Sequence, residues 1–82
     1  MVMIGHNCKV KQHSIITTGV VLCGGSIIMS DCWIGANSTI KEHVKINKNN
    51  LIGISSVVIK NTQSNGVYAG NPVKFIRENK KT

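Results

Sequence analysis

A histidine and a glycine eighteen residues apart are the part of this chain best suited to chemistry. His6 stands in Ile4-Gly5-His6-Asn7-Cys8, and Gly24 stands in Leu22-Cys23-Gly24-Gly25-Ser26. Imidazole takes up and releases a proton near neutral pH, so His6 is a candidate general base. A backbone N–H with no side chain in front of it can hold a developing oxyanion, so Gly24 is a candidate donor. Together they suit acyl transfer. They come together only if the chain repeats with a period that divides eighteen.

It does. Ile4, Val10, Ile16, Leu22, Ile28, Ile34, Ile40, Ile46, Ile52 and Val58 put an aliphatic residue at every sixth position without a slip. A second row runs four places later: Cys8, Ser14, Val20, Ser26, Cys32, Ser38, Val44, Asn50, Ser56 and Thr62, nearly all small. A short, strict period marks a solenoid, and a hexapeptide period marks a parallel β-helix. The small residue, the residue after it and the aliphatic point in, out and in, which makes a short strand. The next residues turn a corner, as in Ile34-Gly35-Ala36-Asn37. Three hexads make one triangular coil of eighteen residues, with coils about 4.8 Å apart. Ile4, Leu22, Ile40 and Val58 then stack, as do Ile16, Ile34 and Ile52, and no long loop is expected between residues 4 and 62. The spacing also sets His6 directly beside Gly24.

The remaining candidate chemistry is weaker. Cys8 and Cys32 fall in the small inward row and read as core residues. Cys23 follows an inward Leu and reads as outward. Three cysteines without paired spacing predict neither a disulfide framework nor a zinc knuckle. His6 and His43 share one side but lie two coils, roughly 10 Å, apart, too far for one metal within a chain. No metal site is therefore expected, and His13 and His43 read as solvent-facing turn residues. Trp33 points outward and reads as a subunit-interface or cleft-wall residue. Asn50 is the one polar misfit of the inward row.

Composition narrows the class. At 82 residues there is one domain at most, with one Trp, one Tyr and one Phe, so the core is thin and aliphatic. About three coils with open ends are marginal alone, which predicts an oligomer. The formal charge is +7, but its cations are scattered over turns and lack interleaved aromatics, so no nucleic-acid partner is expected. No segment has the apolar length of a membrane span and no signal peptide opens the chain, so no membrane partner and a cytoplasmic location are expected.

Residues 4 to 77 resemble the left-handed parallel β-helix, or hexapeptide-repeat, acyltransferases. The hexads carry the likeness first. Gly66-Val67-Tyr68-Ala69-Gly70-Asn71-Pro72-Val73-Lys74 resembles the closing V-x-A-G-N-P-A-K segment of that family, and Trp33-Ile34-Gly35 resembles another frequent piece. Gly5-His6-Asn7-Cys8 followed by Cys23-Gly24-Gly25 is similar to the sialic-acid and bacillosamine type sugar O/N-acetyltransferases, and also to the UDP-sugar N-acyltransferases of lipid A synthesis.

The resemblance implies a left-handed coil, a homotrimer with three sites in the clefts between prisms, and acetyl-CoA lying along the prism axis. It implies His6 as the base and Gly24 as the oxyanion donor. Ala36 and Ile54 would line the pantetheine, and Asn71 and Lys74 would lie towards the nucleotide end. The acceptor would be a sugar or nucleotide sugar. Asn7 stands where the family usually has an acidic residue, and Ile15 where it often has a second imidazole. The family's acceptor-holding N-terminal domain has no counterpart in these residues. The alternative reading is a non-catalytic β-helix, or a C-terminal fragment, that trimerises or packs on a partner.

The hexads stop after Thr62. Residues 1–62 are expected as the β-helix and 63–82 as a closing turn, a short strand at Val67-Tyr68-Ala69 and a C-terminal helix. That helix would have Asn71 as N-cap and Pro72 at its first position, with Val73, Phe75 and Ile76 on the last coil. Lys80-Lys81-Thr82 is expected to fray.

Overall fold

The computed structural model describes residues 1–80. Ten two-residue strands follow the hexad row: β1 Met3–Ile4, β2 Lys9–Val10, β3 Ile15–Ile16, β4 Val21–Leu22, β5 Ile27–Ile28, β6 Trp33–Ile34, β7 Thr39–Ile40, β8 Lys45–Ile46, β9 Leu51–Ile52 and β10 Val57–Val58. They form the three faces of a prism: β1-β4-β7-β10, β2-β5-β8 and β3-β6-β9. All pairs are parallel and offset by eighteen residues, as in Ile4↔Leu22, Leu22↔Ile40 and Ile16↔Ile34. The expected stacks are therefore present, with three complete coils and the first strand of a fourth. Leu22, Ile28, Ile34, Ile40, Ile46, Ile52 and Val58 are buried along the axis. Each contributes about 1.5–3 kcal/mol. The first coil is uncovered at its end: Ile4 is 58% and Val10 40% exposed.

The inward small row has a second purpose besides packing. Its side chains donate to the carbonyl fifteen residues ahead: Ser14 Oγ to Met29 at 2.6 Å, Ser38 Oγ to Gly53 at 2.8 Å, Cys32 Sγ to Asn47 at 3.0 Å and Cys8 Sγ to Cys23 at 3.2 Å. These bonds satisfy carbonyls that the corners turn away from the sheets. Burial pushes the Cys32 thiol above its ordinary value.

The corners obey an equally regular rule. The third residue after each aliphatic has positive φ at all nine consecutive positions: Asn7, His13, Gly19, Gly25, Asp31, Asn37, His43, Asn49 and Ser55. Asn, Asp, His and Gly are the residues that enter the left-handed region most readily. His13 and His43 are thus corner residues with exposed side chains, as expected.

The repeat ends at residue 61. Asn61 has no positive φ; its Oδ1 accepts the Lys45 N–H at 2.8 Å, and Thr62 Oγ1 accepts the Asn47 N–H at 3.0 Å. These side chains take up the edge amides of β8 that a further strand would have bonded. The chain crosses to the third face by a shortcut, and β11 (Gly66–Gly70) pairs with β9 through Val67↔Leu51, an offset of sixteen rather than eighteen. Asn50 sits at this slip. Its Nδ2 donates to Gln63 O at 2.8 Å, thirteen residues ahead, so a longer side chain replaces the serine of a regular coil.

The C-terminal helix is not formed. Val73–Glu78 is a strand, β12, antiparallel to β11, and among the described residues there is no helix. Gly70-Asn71-Pro72-Val73 makes the hairpin turn, with φ +112° at Gly70 and a cis Asn71–Pro72 bond, instead of a helix start. Asn and Pro serve either role. The unpaired edge of β11 decides between them, and Val73, Phe75 and Ile76 suit a strand. Val73 packs on the core, whereas Phe75 and Ile76 stay exposed. For Lys81 and Thr82, the expected fraying lies outside the described residues.

Candidate functional site

The corner between the first and second faces carries His6, Gly24, Glu42 and Lys60 in one column and Asn7, Gly25 and His43 in the next. Backbone bonds tie the two columns together. Gly25 N–H donates to His6 O at 2.8 Å, and His43 N–H donates to Gly24 O at 3.1 Å. The Gly24–Gly25 peptide is clamped from both coils, so the orientation of this corner is set by its neighbours.

The Gly24 N–H itself makes no hydrogen bond among the described residues. The same is true of other first-corner amides, those of His6, Gln12, Thr18, Ser30, Ala36, Lys48 and Ile54. Unused amides are therefore a property of the coil. Gly24 is the one such corner position that carries no side chain. A Cβ there would meet only His6 O, at 3.5 Å, so space is open in front of it. Gly25 next to it is at φ +75°, and a Cβ on it would fall 2.5 Å from His43 Nδ1. The missing side chain of Gly25 seats the His43 ring.

His6, Lys9, Gly24, Gly25, Ile27 and His43 line one shallow depression. The structure thus brings His6 and Gly24 together and adds His43, which sequence reasoning had left as a turn residue. The available signal was arithmetic: His43 is eighteen residues after Gly25. Neither ring nitrogen of His6 is hydrogen-bonded among the described residues, so Asn7 does not hold the ring. On the same corner Lys41 Nζ lies 3.1 Å from Glu42 Oε1 and draws its carboxyl below the ordinary value.

The other expected site residues lie elsewhere. Ala36 and Ile54 stack one coil apart on the corner between the third and first faces, linked by Ser55 N–H to Ala36 O at 2.8 Å. Ile54 is 67% exposed. A Cβ on Gly35 would lie 2.7 Å from Ile54 N, so only glycine allows the two coils to approach this closely. Asn71 is exposed at the tip of the closing hairpin and Lys74 near the start of β12. Within one chain, neither pair shares the depression of His6 and Gly24. The described residues contain no group of three His, Cys, Asp or Glu able to hold a metal, and no helix long and apolar enough to cross a membrane.

No family model matches the chain. Over 55 residues it is 40% identical to a probable macrolide acetyltransferase of Lysinibacillus sphaericus, covering 67% of this chain and 31% of that protein. Over 78 residues it is 29% identical to a UDP-3-O-acylglucosamine N-acyltransferase of Campylobacter lari, covering 95% of this chain and 24% of that protein. The chain spans about a third or less of these relatives. LpxA from Acinetobacter baumannii superposes with a TM-score of 0.87 at 30% identity, over 90% of this chain and 29% of that one. AntD, an N-acyltransferase from Bacillus cereus solved with dTDP-4-amino-4,6-dideoxyglucose and coenzyme A, gives 0.85 at 18% identity, over 98% and 61%. The likeness to hexapeptide-repeat acyltransferases holds in sequence and in fold, and the coil is the left-handed parallel β-helix of these neighbours.

Proposed function

We propose that this chain supplies the catalytic edge of a coenzyme-A-dependent acetyltransferase acting on an amine or hydroxyl of a sugar or nucleotide sugar. The observation that carries the reading is the unbonded N–H of Gly24, at a corner without a side chain, one coil from His6. The relatives are acetyl- and acyltransferases, and AntD was solved with an amino sugar nucleotide and coenzyme A, which supports it.

The reaction is direct transfer. His6 takes a proton from the acceptor N–H or O–H as that atom attacks the thioester carbonyl. The Gly24 N–H donates to the oxyanion, and loss of such a donor costs about 10^2–10^3 in rate. The C–S bond then breaks, and the imidazolium returns its proton to the departing thiolate. His43 borders the same depression and would contact what binds there.

Ala36 and Ile54 line the pantetheine in this reading only if a neighbouring chain presents them, because they lie on another edge of the prism. A homotrimer is proposed for that reason. The outward residues of the third face, Ile15, Trp33 and Leu51, form an apolar stripe suited to such an interface. A non-catalytic scaffold is the second reading, favoured by the unsupported His6 ring. Calorimetric titration of acetyl-CoA, followed by turnover with nucleotide amino sugars, separates the two. Saturable binding near one per chain and acetyl transfer lowered by about 10^2–10^4 in His6→Ala are expected, and an unchanged rate in His6→Ala would remove the base assignment.

A further inference from the structure

The charges of the coil are not spread evenly over its surface. Along the chain the cations look scattered, but the eighteen-residue period gathers them. All six lysines of residues 1–62, Lys9, Lys11, Lys41, Lys45, Lys48 and Lys60, lie on the second face or on the two corners that bound it. So do the only two acids of that segment, Asp31 and Glu42. The first and third faces and the corner between them, residues 1–4, 15–22, 33–40 and 51–58, carry no charged side chain. Glu42 is paired with Lys41, and Asp31 faces His13. The other five lysines have no ion pair among the described residues. A surface that serves solubility alone mixes both signs. A one-sided excess of cations draws an anion towards it.

The pattern suits a row of charges better than a single one. The outward column of the face reads Lys9, Ile27 and Lys45, in register through Lys9↔Ile27 and Ile27↔Lys45. The two lysines are two coils, roughly 10 Å, apart. The half-buried Ile27 lies between them. Acidic sugars joined in a row offer the matching pattern, carboxylates separated by the C–H faces of their rings. No Trp, Tyr or Phe stands on this face or its corners, so no nucleobase is stacked there. Its cations are all lysines, point charges without the fork that an arginine presents to a phosphate. Lys9 and Ile27 also line the depression of His6 and Gly24. A chain of sugars lying on the second face therefore passes the proposed base.

We propose that the second face holds the acceptor as a run of carboxylate-bearing sugars, with one carboxylate at Lys9 and another at Lys45, and presents one of its hydroxyls to His6. The inference rests on the acetyl-transfer reading above and narrows its acceptor to an acidic glycan.

The test titrates a galacturonate oligomer into the full chain, with the methyl ester of the same oligomer as the uncharged control. Saturable binding of the acid that weakens steeply with added salt is expected, and none of the ester. The double variant Lys9→Gln, Lys45→Gln should bind about tenfold more weakly, while Arg77→Gln on the closing hairpin binds as the natural chain does. With the oligomer as acceptor, the double variant should raise KM and keep kcat. Equal binding of the ester, equal binding by the double variant, or no binding of the acid overturns the proposal. So does a DNA duplex or an anionic phospholipid vesicle that binds more tightly and displaces the oligomer. His6→Ala should still bind the oligomer, which separates the face from the chemistry. An oligomer that binds but is not acetylated, while nucleotide amino sugars are, overturns its place as acceptor. Absence of transfer to every acceptor counts against acetyl transfer itself and leaves the titration to judge the face.

Discussion

Two corners of the prism follow one backbone rule and end up with opposite contents. On the corner between the first and second faces, the middle coil is Gly24-Gly25; space is open at Gly24, while the His43 ring covers Gly25. On the corner between the second and third faces, the same positions are Ser30-Asp31, and the column is filled. His13 Nδ1 lies 3.7 Å from Asp31 Oδ1. One coil on, Asn49 donates from Nδ2 to Asn65 Oδ1 and to Asn79 O, both at 3.0 Å, and Asn79 Nδ2 returns a bond to Asn49 O at 3.0 Å. That clasp ties the end of β12 to the coil. Both corners have unused first-position amides and left-handed second positions. The coil therefore supplies donors everywhere, and side chains decide where a ligand can reach them.

The sharpest way to break this comparison is to remove the two histidines in turn. His6→Ala should lower acetyl transfer by about 10^2–10^4, the usual worth of a general base, with thermal stability unchanged. His13→Ala should leave transfer within experimental error. A similar loss in both would mean that the corners are functionally alike.

The glycines sharpen it next. Gly24→Ala meets no close contact and needs no positive φ, so the protein should fold with its usual stability while losing up to about 10^2–10^3 in kcat as the donor is covered. Gly25→Ala should do the reverse first. It is strained at φ +75° and displaces the His43 ring, so stability should fall by about 1 kcal/mol or more in urea melts.

On the filled corner the clasp can be opened with Asn79→Ala. The two bonds from Asn79 Nδ2 to Asn49 O and Oδ1 go, at about 0.5–1.5 kcal/mol each at most, while Asn49 Nδ2 still reaches the Asn79 carbonyl; hydrogen exchange in β12 should speed up while transfer at His6 is retained. The smallest effect is the pH response beneath that corner. Burial raises the Cys32 thiol, so its contribution to stability is fully present below the ordinary thiol value and is lost as pH rises through the raised folded value. Urea midpoints measured across that range should fall for the natural chain and flatten for Cys32→Ala.

Much of this was legible in the residues. The row from Ile4 to Val58 led to the strands, the eighteen-residue stacking, the buried core and the meeting of His6 with Gly24. The inward row was legible as small but not as polar. That Ser14, Cys32 and Ser38 bond carbonyls fifteen residues ahead depends on where the corners point those carbonyls. The same holds for Asn50, a misfit by period and a bridge to Gln63 once the coil loses two residues. His43 was legible as a corner residue, and its place over Gly25 was recoverable by counting. Asn71-Pro72 was misread because a helix start and a hairpin turn use the same residues.

By itself the sequence determined the register of the repeat. A fixed period converts sequence distance into spatial distance, and burial of one aliphatic row per six residues permits no other register. Only the tertiary structure decided what happens where the period fails. The side chains of Asn61 and Thr62 close one sheet edge, and the open edge of β11 draws Val73–Glu78 into a strand rather than a helix. Those outcomes follow from unpaired backbone groups present only after the coils have formed, and no local pattern encodes them.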